Sequence, residues 1–355
     1  MIDVSAGKWH PRRIAIFRAL QLGDLLQAVP ALRAIRAGFP GAEITFIGLP
    51  WARSFVQRFQ RYIDRFVEFV GFPGIPELEF IPERTARFID AQRRYGYDLA
   101  IQMQGSGGVA NRFICALKAG VTAGYYQGES SEGLTIGAPY PDNQPEVYRN
   151  LGLAQLLGCR ACVPELEFPL YDSDYAEAAA LLHIFPHAAR PLIGLHSGAR
   201  PPARRWPTAY FASVADELVR LFGAQIILTG GTDETEIVHS TEEQMTTQPI
   251  NLAGKTSLGG LAALINKLDL FISNDTGPAH LAYAVGTPSI TIFGPADYRR
   301  WAPLNQELHR IVRHPVVCSP CSYLICPIDH RCLRGVSPAM VIETARDLLA
   351  KGAVA

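Results

Sequence analysis

Apolar runs of strand length alternate with helical stretches almost from end to end of the chain. In the first half, "RIAIFR" (13–18), "EITFIG" (43–48), "RFVEFV" (65–70) and "DLAIQM" (98–103) read as strands, with another in "AGVTAGY". Helices fall between them, from about Asp24 to Ala37 and near 51–61, 82–94 and 109–119. Strands that are apolar throughout, joined by helices, signal parallel sheets with crossover connections. Residues 124–146 break the rhythm with glycine, proline and polar residues, which predicts a surface loop or part of an acceptor site. The helix "VYRNLGLAQLLG" follows.

A turn-rich stretch near 160–172 reads as a linker, and then the alternation restarts. Helices at 174–183, Thr208 to Phe222, 233–245, from 257 and from about Gly277 separate "LIGLHS" (192–197), "QIILTG" (225–230), "INLAG", "LDLFISN" (268–274) and "SITIFGP" (289–295). The last helix is "SPAMVIETARDLLAKG" (337–352). The pattern predicts an α/β protein of two doubly wound parallel-sheet domains, 1–165 and 166–336, with a carboxy-terminal helix in 337–355. A ligand is expected in a cleft where the domains face, beyond the carboxyl ends of the strands.

Composition narrows this reading. A chain of 355 residues, 48% hydrophobic and 19% charged, suits two globular domains and not a disordered polymer. The 33 basic and 33 acidic residues cancel, so no global field attracts nucleic acid. Residues 1–65 nevertheless carry ten Arg or Lys against four Asp or Glu. That excess is either a solvated basic face or an attraction to an anionic acceptor or membrane surface. "MIDVSAGKWHPRR" lacks the apolar core of a secretory leader, and no run approaches the roughly 18 apolar residues that span a bilayer. A cytoplasmic setting is expected, and there the seven cysteines stay reduced.

Candidate chemistry clusters at strand ends. "SNDTGPAH" (273–280) places Asp275, Thr276, Gly277 and His280 where a strand becomes a helix. The turn suits either a capped helix or a phosphate held on a helix N-terminus. "LGD" places Asp24 after the first strand, as a helix-capping acid or a general base. "LHSGARPPARRWP" ends a strand at His196 and Ser197 and brings Arg204 and Arg205, two guanidiniums able to clamp a diphosphate. "LTGGTDETEI" supplies Asp233, Glu234 and Glu236, acids placed for a helix dipole or for ribose hydroxyls. Two near-motifs fail: "AGKTS" lacks the glycine of a phosphate loop, and no G-x-G-x-x-G follows the first strand. Cys318, Cys321, Cys326 and Cys332, spaced C-x2-C-x4-C-x5-C, read as a structural zinc or iron site or as reduced thiols packing a loop.

Together "LGDLLQAVPALRAIRAGFPGAEITFIG", "RRWP", "LTGGTDE", "SNDTGPAHLAYAVGTPSITIFGP" and "CSPC…CP…H.CL" resemble glycosyltransferase family 9, the ADP-heptose:lipopolysaccharide heptosyltransferases. The resemblance implies the GT-B architecture, with two Rossmann-like domains, the acceptor on the first and the nucleotide-sugar on the second. It also implies that the last helix crosses back onto the first domain. Asp24 then holds the place of the catalytic base. His196, Ser197, Arg204, Arg205, Asp233, Glu234, Asp275, Thr276, Gly277 and His280 form the donor site, with Arg204 where the family has lysine. The implied reaction is an inverting transfer from ADP-heptose to a lipopolysaccharide-core or other glycan acceptor, without an active-site metal, at the inner face of the cytoplasmic membrane. The competing readings are a nucleotide-sugar epimerase of the same fold and a non-catalytic metal-binding member of the family.

Overall fold

The computed structural model describes residues 9–129, 131, 133–160, 162–182 and 191–352. The expectations drawn on residues 1–8, on position 183 and on 353–355 lie outside them. The chain divides into two compact units, Met1–Leu166 and Glu167–Ala355.

The first unit runs β1 (Arg13–Phe17), α1 (Leu22–Gly38), β2 (Glu43–Gly48), α2 (Ala52–Arg58), β3 (Arg65–Glu68), α3 (Pro82–Tyr95), β4 (Leu99–Gln102), α4 (Val109–Ala116), β5 (Val121–Tyr126), β6 (Ile136–Pro139) and α5 (Glu146–Leu156). Its six strands are parallel in the order β3-β2-β1-β4-β5-β6. The chain winds outward from β1 to β3, then crosses back through β4, so the strand order reverses between β1 and β4. The position beyond the carboxyl ends of those two strands is the usual ligand site in such sheets. Ile14, Ile16, Phe17, Leu99 and Ile101 are fully buried, which is why these strands read as unbroken apolar runs. Phe17 packs against Phe69 and Phe113 with ring centroids 5.1 and 4.3 Å away. α1 is buried on nearly every side, from Leu25 and Leu26 through Val29, Leu32 and Ile35; a helix apolar all round belongs inside.

The second unit runs α6 (Asp172–Leu182), β7 (Leu192–His196), a 3-10 turn (Pro202–Arg204), α7 (Thr208–Phe222), β8 (Gln225–Leu228), a second 3-10 turn (Thr232–Glu234), α8 (Thr235–Glu243), β9 (Ile250–Asn251), α9 (Leu258–Asn266), β10 (Leu270–Asn274), α10 (Gly277–Val285), β11 (Ser289–Phe293), α11 (Tyr298–Trp301), β12 (His309–Arg313), α12 (Arg331–Arg334) and α13 (Pro338–Gly352). Its strands are also parallel, in the order β12-β11-β10-β7-β8-β9. The reversal falls between β7 and β10. Both units are thus doubly wound Rossmann-like sheets, the pair from which the GT-B class is built.

Three details depart from the sequence reading. The expected loop at 124–146 contains β6, which pairs with β5 through Gly124 opposite Gly137. β6 is a short, half-exposed edge strand ending in proline, a residue that sheets tolerate at an edge. β12, "HRIVR", lies beyond the last strand that the apolar pattern predicts, because its charged residues interrupt the run; it is the edge strand of the second sheet. α13 buries Val341, Ala345 and Leu348 in the second unit's core with Trp206, Phe211 and Leu218. The helix expected to cross onto the first domain therefore places its apolar face in the second unit.

Candidate functional site

In the second unit, the loops after β7 and β10 meet at the switch point and are stitched by Asn274. This side chain is fully buried. Its amide donates to Ser197 O at 2.9 Å and Gly198 O at 3.1 Å, and its oxygen accepts the Trp206 N–H at 2.9 Å. A buried amide with its hydrogen bonds made fixes both loops at once. Trp206 is anchored again through Nε1 to Val336 O at 3.0 Å.

That frame positions Arg204 against Asp275. Arg204 Nη1 donates to Asp275 Oδ2 at 3.1 Å, with the carboxylate buried and the guanidinium partly exposed. His280 Nε2 stands 4.0 Å from Asp275 Oδ1, too far for a hydrogen bond. Burial, reinforced by the Arg204 charge, pushes the His280 imidazole down to about 4, so it is neutral near pH 7. Thr276 is the N-cap of α10 but makes no side-chain cap bond, and Pro278 lies in the first turn. The Ala279 N–H closes on Thr276 O at 3.0 Å. The turn therefore presents a hydroxyl and the first N–H of a helix beside an arginine, which suits an anion.

A second cluster lies at the ends of β7 and β8. Buried His196 has Nδ1 3.1 Å from Thr229 Oγ1 and Nε2 3.3 Å from Glu234 Oε2. Glu234 also accepts the Gly231 N–H at 2.9 Å. Burial works against ionisation of Glu234, but the His196 hydrogen bond and charge, the Gly231 N–H and the Arg205 charge outweigh it and hold the carboxyl at about 2. Gly198 permits the approach, since a Cβ built there would overlap the Glu234 carboxylate. Arg205 ties its Nε to Ala199 O at 2.8 Å.

The structure thus groups Arg204 with Asp275, Thr276, Gly277 and His280, and His196 with Glu234 and Arg205. Asp233 and Glu236 are exposed. Ser197 is buried, its hydroxyl 2.9 Å from Thr241 Oγ1, so it braces the loop from inside. Asn274, Gly198 and Thr229 carry the geometry without having stood out as chemistry. Their signal was only the polar end of an apolar strand.

In the first unit Asp24 is the third residue of α1 and half-buried; its Oδ2 accepts the Gln21 N–H at 3.3 Å. Its carbonyl accepts Arg18 Nε at 3.0 Å. Arg18 is 1% exposed and reaches Met103 O, Asn150 Oδ1 at 3.2 Å and Glu146 Oε1 at 3.1 Å. Glu146 is shared with Arg149, whose Nη1 is 3.5 Å away. Gln104 binds Ala19 through both amide atoms, Oε1 accepting the N–H at 2.6 Å and Nε2 donating to the carbonyl at 3.3 Å. The loops after β1 and β4 are therefore cross-linked where the strand order reverses. The sequence offered one clue to Arg18, an arginine directly after an apolar strand.

Cys318, Cys321, Cys326 and Cys332 line one small cavity as free thiols. Among the described residues no group of three or more His, Cys, Asp or Glu is arranged to hold a metal ion. The zinc or iron reading of their spacing is not met by this geometry: Cys318 is exposed, Cys332 is buried, and Cys326 Sγ accepts the His330 N–H at 3.3 Å.

A lipooligosaccharide heptosyltransferase 2 of Campylobacter jejuni is 34% identical over 168 residues, covering 44% of this chain but only 51% of that relative. The chain thus spans about half the length of that relative. A lipooligosaccharide heptosyltransferase 2 of Haemophilus influenzae is 26% identical, with 93% of this chain and 97% of the relative aligned. The crystal structure of a glycosyl transferase family 9 protein from Veillonella parvula superposes with a TM-score of 0.76 at 23% identity, covering 98% of this chain and 99% of that one. Residues 85–330, well over half of the chain, match the family described as glycosyltransferase family 9 (heptosyltransferase), and the chain belongs to that family.

Proposed function

We propose that the protein is an inverting glycosyltransferase that moves a heptosyl residue from ADP-heptose to a lipopolysaccharide-core-type acceptor. The observation that carries the reading is the Arg204–Asp275 pair at the first turn of α10, beside an uncommitted Thr276 cap. Preorganised donors of this kind stabilise the charge that grows on a departing diphosphate. In the proposed step, an acceptor hydroxyl oxygen attacks the anomeric carbon as the bond from that carbon to ADP breaks. Asp24 takes the hydroxyl proton, and the configuration inverts. Arg204, Arg205, the Thr276 hydroxyl and the Gly277 N–H meet the negative charge on ADP. Asp233 and Glu234 accept hydrogen bonds from the ribose hydroxyls, Glu234 being held ionised and fixed by His196. His196 and Ser197 hold the loop, and His280 backs Asp275 as a neutral ring. No metal is assigned a step. The reaction is placed in the cytoplasm, at the inner face of the membrane.

The test is sugar transfer with purified protein, ADP-heptose and acceptor, for wild type and Asp24→Asn. Turnover should fall by about 10²–10⁴ in the variant, as loss of a general base does, with donor affinity retained. Near-normal turnover removes Asp24 from the mechanism. Conversion of donor in the absence of acceptor would instead identify an epimerase, and tighter binding of UDP-sugars than of ADP-sugars would overturn the donor assignment.

A further inference from the structure

The second unit carries an apolar surface that the proposed chemistry does not use. Of the twelve large hydrophobic residues exposed among the described residues, five lie within 317–328. Val317 is fully exposed, Leu324 and Ile325 are each 71% exposed, Tyr323 60% and Ile328 55%. This segment has no helix or strand, yet its backbone is held in place. Ser319 Oγ donates to Gly294 O at 3.0 Å, the Cys321 N–H to Pro295 O at 2.8 Å, and the Ala203 N–H to Leu324 O at 3.0 Å. Apolar side chains are thus displayed outward on a fixed loop, at a density that marks an interaction site.

The surroundings are basic. Between 295 and 334 the chain has six arginines, Arg299, Arg300, Arg310, Arg313, Arg331 and Arg334, against three acids, Asp297, Glu307 and Asp329. Arg299, Arg313 and His314 line a hollow of about 230 Å³ with loop residues Val316, Ser319 and Pro320. Arg331 adjoins Ile328 on the other side of the loop. Arg299 and Arg331 each pair with a neighbouring acid, Asp297 and Asp329, at 3.0 Å, and Arg313 lies over the Tyr298 ring, so the segment's three surplus cations, with guanidinium N–H groups left over from these pairs, supply its attraction for anions. Exposed aliphatic and tyrosine side chains rimmed by arginine are the composition that enters an anionic bilayer interface.

We propose that the 317–328 loop docks on a bilayer containing anionic phospholipid. Tyr323, Leu324, Ile325 and Ile328 enter the interface, and phosphate headgroups meet Arg299, Arg313 and Arg331. Because Leu324 is bonded to Ala203, the residue before Arg204, docking brings the lipid surface beside the proposed donor-phosphate arginine. That placement rests on the proposed function; the docking does not.

The experiment is flotation of the full chain with phosphatidylglycerol-containing vesicles, and with phosphatidylcholine vesicles alone. It compares wild type with Tyr323→Ser/Leu324→Ser/Ile325→Ser. Wild type should float with the anionic vesicles, several-fold less with neutral ones and less at high salt. The triple variant should lose roughly tenfold or more of its partitioning. Its thermal melt and its turnover on a short water-soluble acceptor should be unchanged, because the altered side chains are exposed and lie outside the proposed site. Wild type that stays unbound, or a triple variant that floats as well as wild type, overturns the proposal. So does a concentration-dependent dimer in sedimentation that the variant abolishes, which would assign the patch to a second copy. A chain that floats but transfers no sugar sinks the glycosyltransferase reading and leaves the docking surface standing.

Discussion

Replacing Arg18 with Met removes a buried cation that joins the end of β1 to α1, the loop after β4 and α5. The guanidinium reaches Asp24 O, Met103 O, Asn150 Oδ1 and Glu146 Oε1 from a site 1% exposed. Met fills much of the volume, so packing loss is small and the cost is mainly electrostatic. Breaking a buried ion pair by removing one partner costs ~3–5 kcal/mol. Glu146 keeps Arg149 at 3.5 Å, which favours the lower end of that range. For a unit of this size, such a loss lowers Tm by roughly 6–20 °C. Scanning calorimetry should show one transition moving while a second, assigned to the Glu167–Ala355 unit, stays in place.

The kinetic consequence is separable from the thermal one. Arg18 holds Asp24 through its backbone carbonyl, and the proposed donor groups belong to the other unit. Below the lowered melting temperature, Arg18→Met should therefore reduce kcat by about tenfold or more while leaving donor affinity close to wild type. Arg18→Lys should recover part of the stability but less of the turnover, because an ammonium cannot reproduce the planar fork. A Tm shift below about 2 °C would mean the network is not structural. An unchanged kcat would mean that Asp24 is not positioned through Arg18.

Two further predictions concern the second unit. His280 and His309 are both pushed down to about 4 by burial, so the unfolded chain takes up protons first as pH falls. Stability is therefore full above about pH 6.5 and drains as pH drops toward 4. Between about pH 7 and 5.5 the loss should be roughly 2–3 kcal/mol for the pair; denaturant midpoints that do not move over this window would refute it. Glu234, held at about 2, adds a further loss below its ordinary carboxylate value. Gly198→Ala should displace the Glu234 carboxylate from His196, raising donor KM about tenfold with a smaller change in kcat; an unchanged donor KM would remove Glu234 from the donor site.

Fully buried strands were legible because burial on both faces leaves an unbroken apolar run. β1, β2, β4, β7, β10 and β11 all carry that signature. The edge strands β6 and β12 do not: with one side unpaired they carry glycine, proline or arginine, and "IGAP" and "HRIVR" then look like loop. Arg204, Asp275 and Glu234 stood out because charged residues at the ends of apolar strands are conspicuous. Which partner each would take was not legible. Asp275 binds an arginine 71 residues away, and His196 meets Glu234 across two strands. Such pairings depend on the order of strands in the sheet, which no local pattern records. The four cysteines show a different limit: their close spacing is plain, but it does not record that Cys318 lies exposed in a loop while Cys332 is buried on α12.

The cap of α10 shows how a local rule broken in the sequence can indicate function. A helix beginning after Asn-Asp-Thr has three side chains able to cap it, and capping with one of them is worth ~1 kcal/mol. Thr276, the residue at the cap position, is not used that way. Asn274 turns back to bind Ser197 O and Gly198 O, Asp275 faces Arg204, and Thr276 makes no cap bond. Asn274 recovers its hydrogen bonds by fixing the β7 loop, and Asp275 recovers its charge through the arginine. Thr276 has no such compensation within the turn. A cap that gives up its own stabilisation at the switch point of a doubly wound sheet leaves the helix N-terminus open to an anion. A diphosphate bound there would restore the missing hydrogen bonds, so donor binding should stabilise the second unit beyond what contact area alone gives. Thr276→Val keeps the shape and removes the hydroxyl. It should leave the Tm of the ligand-free protein within about 1 °C, since a half-buried hydroxyl that makes no cap bond contributes little to the fold. It should nevertheless weaken ADP binding by about tenfold or more, the value of one hydrogen bond to a charged group. Equal ADP affinity in the two proteins, measured by calorimetry, would show that the cap is idle and not reserved.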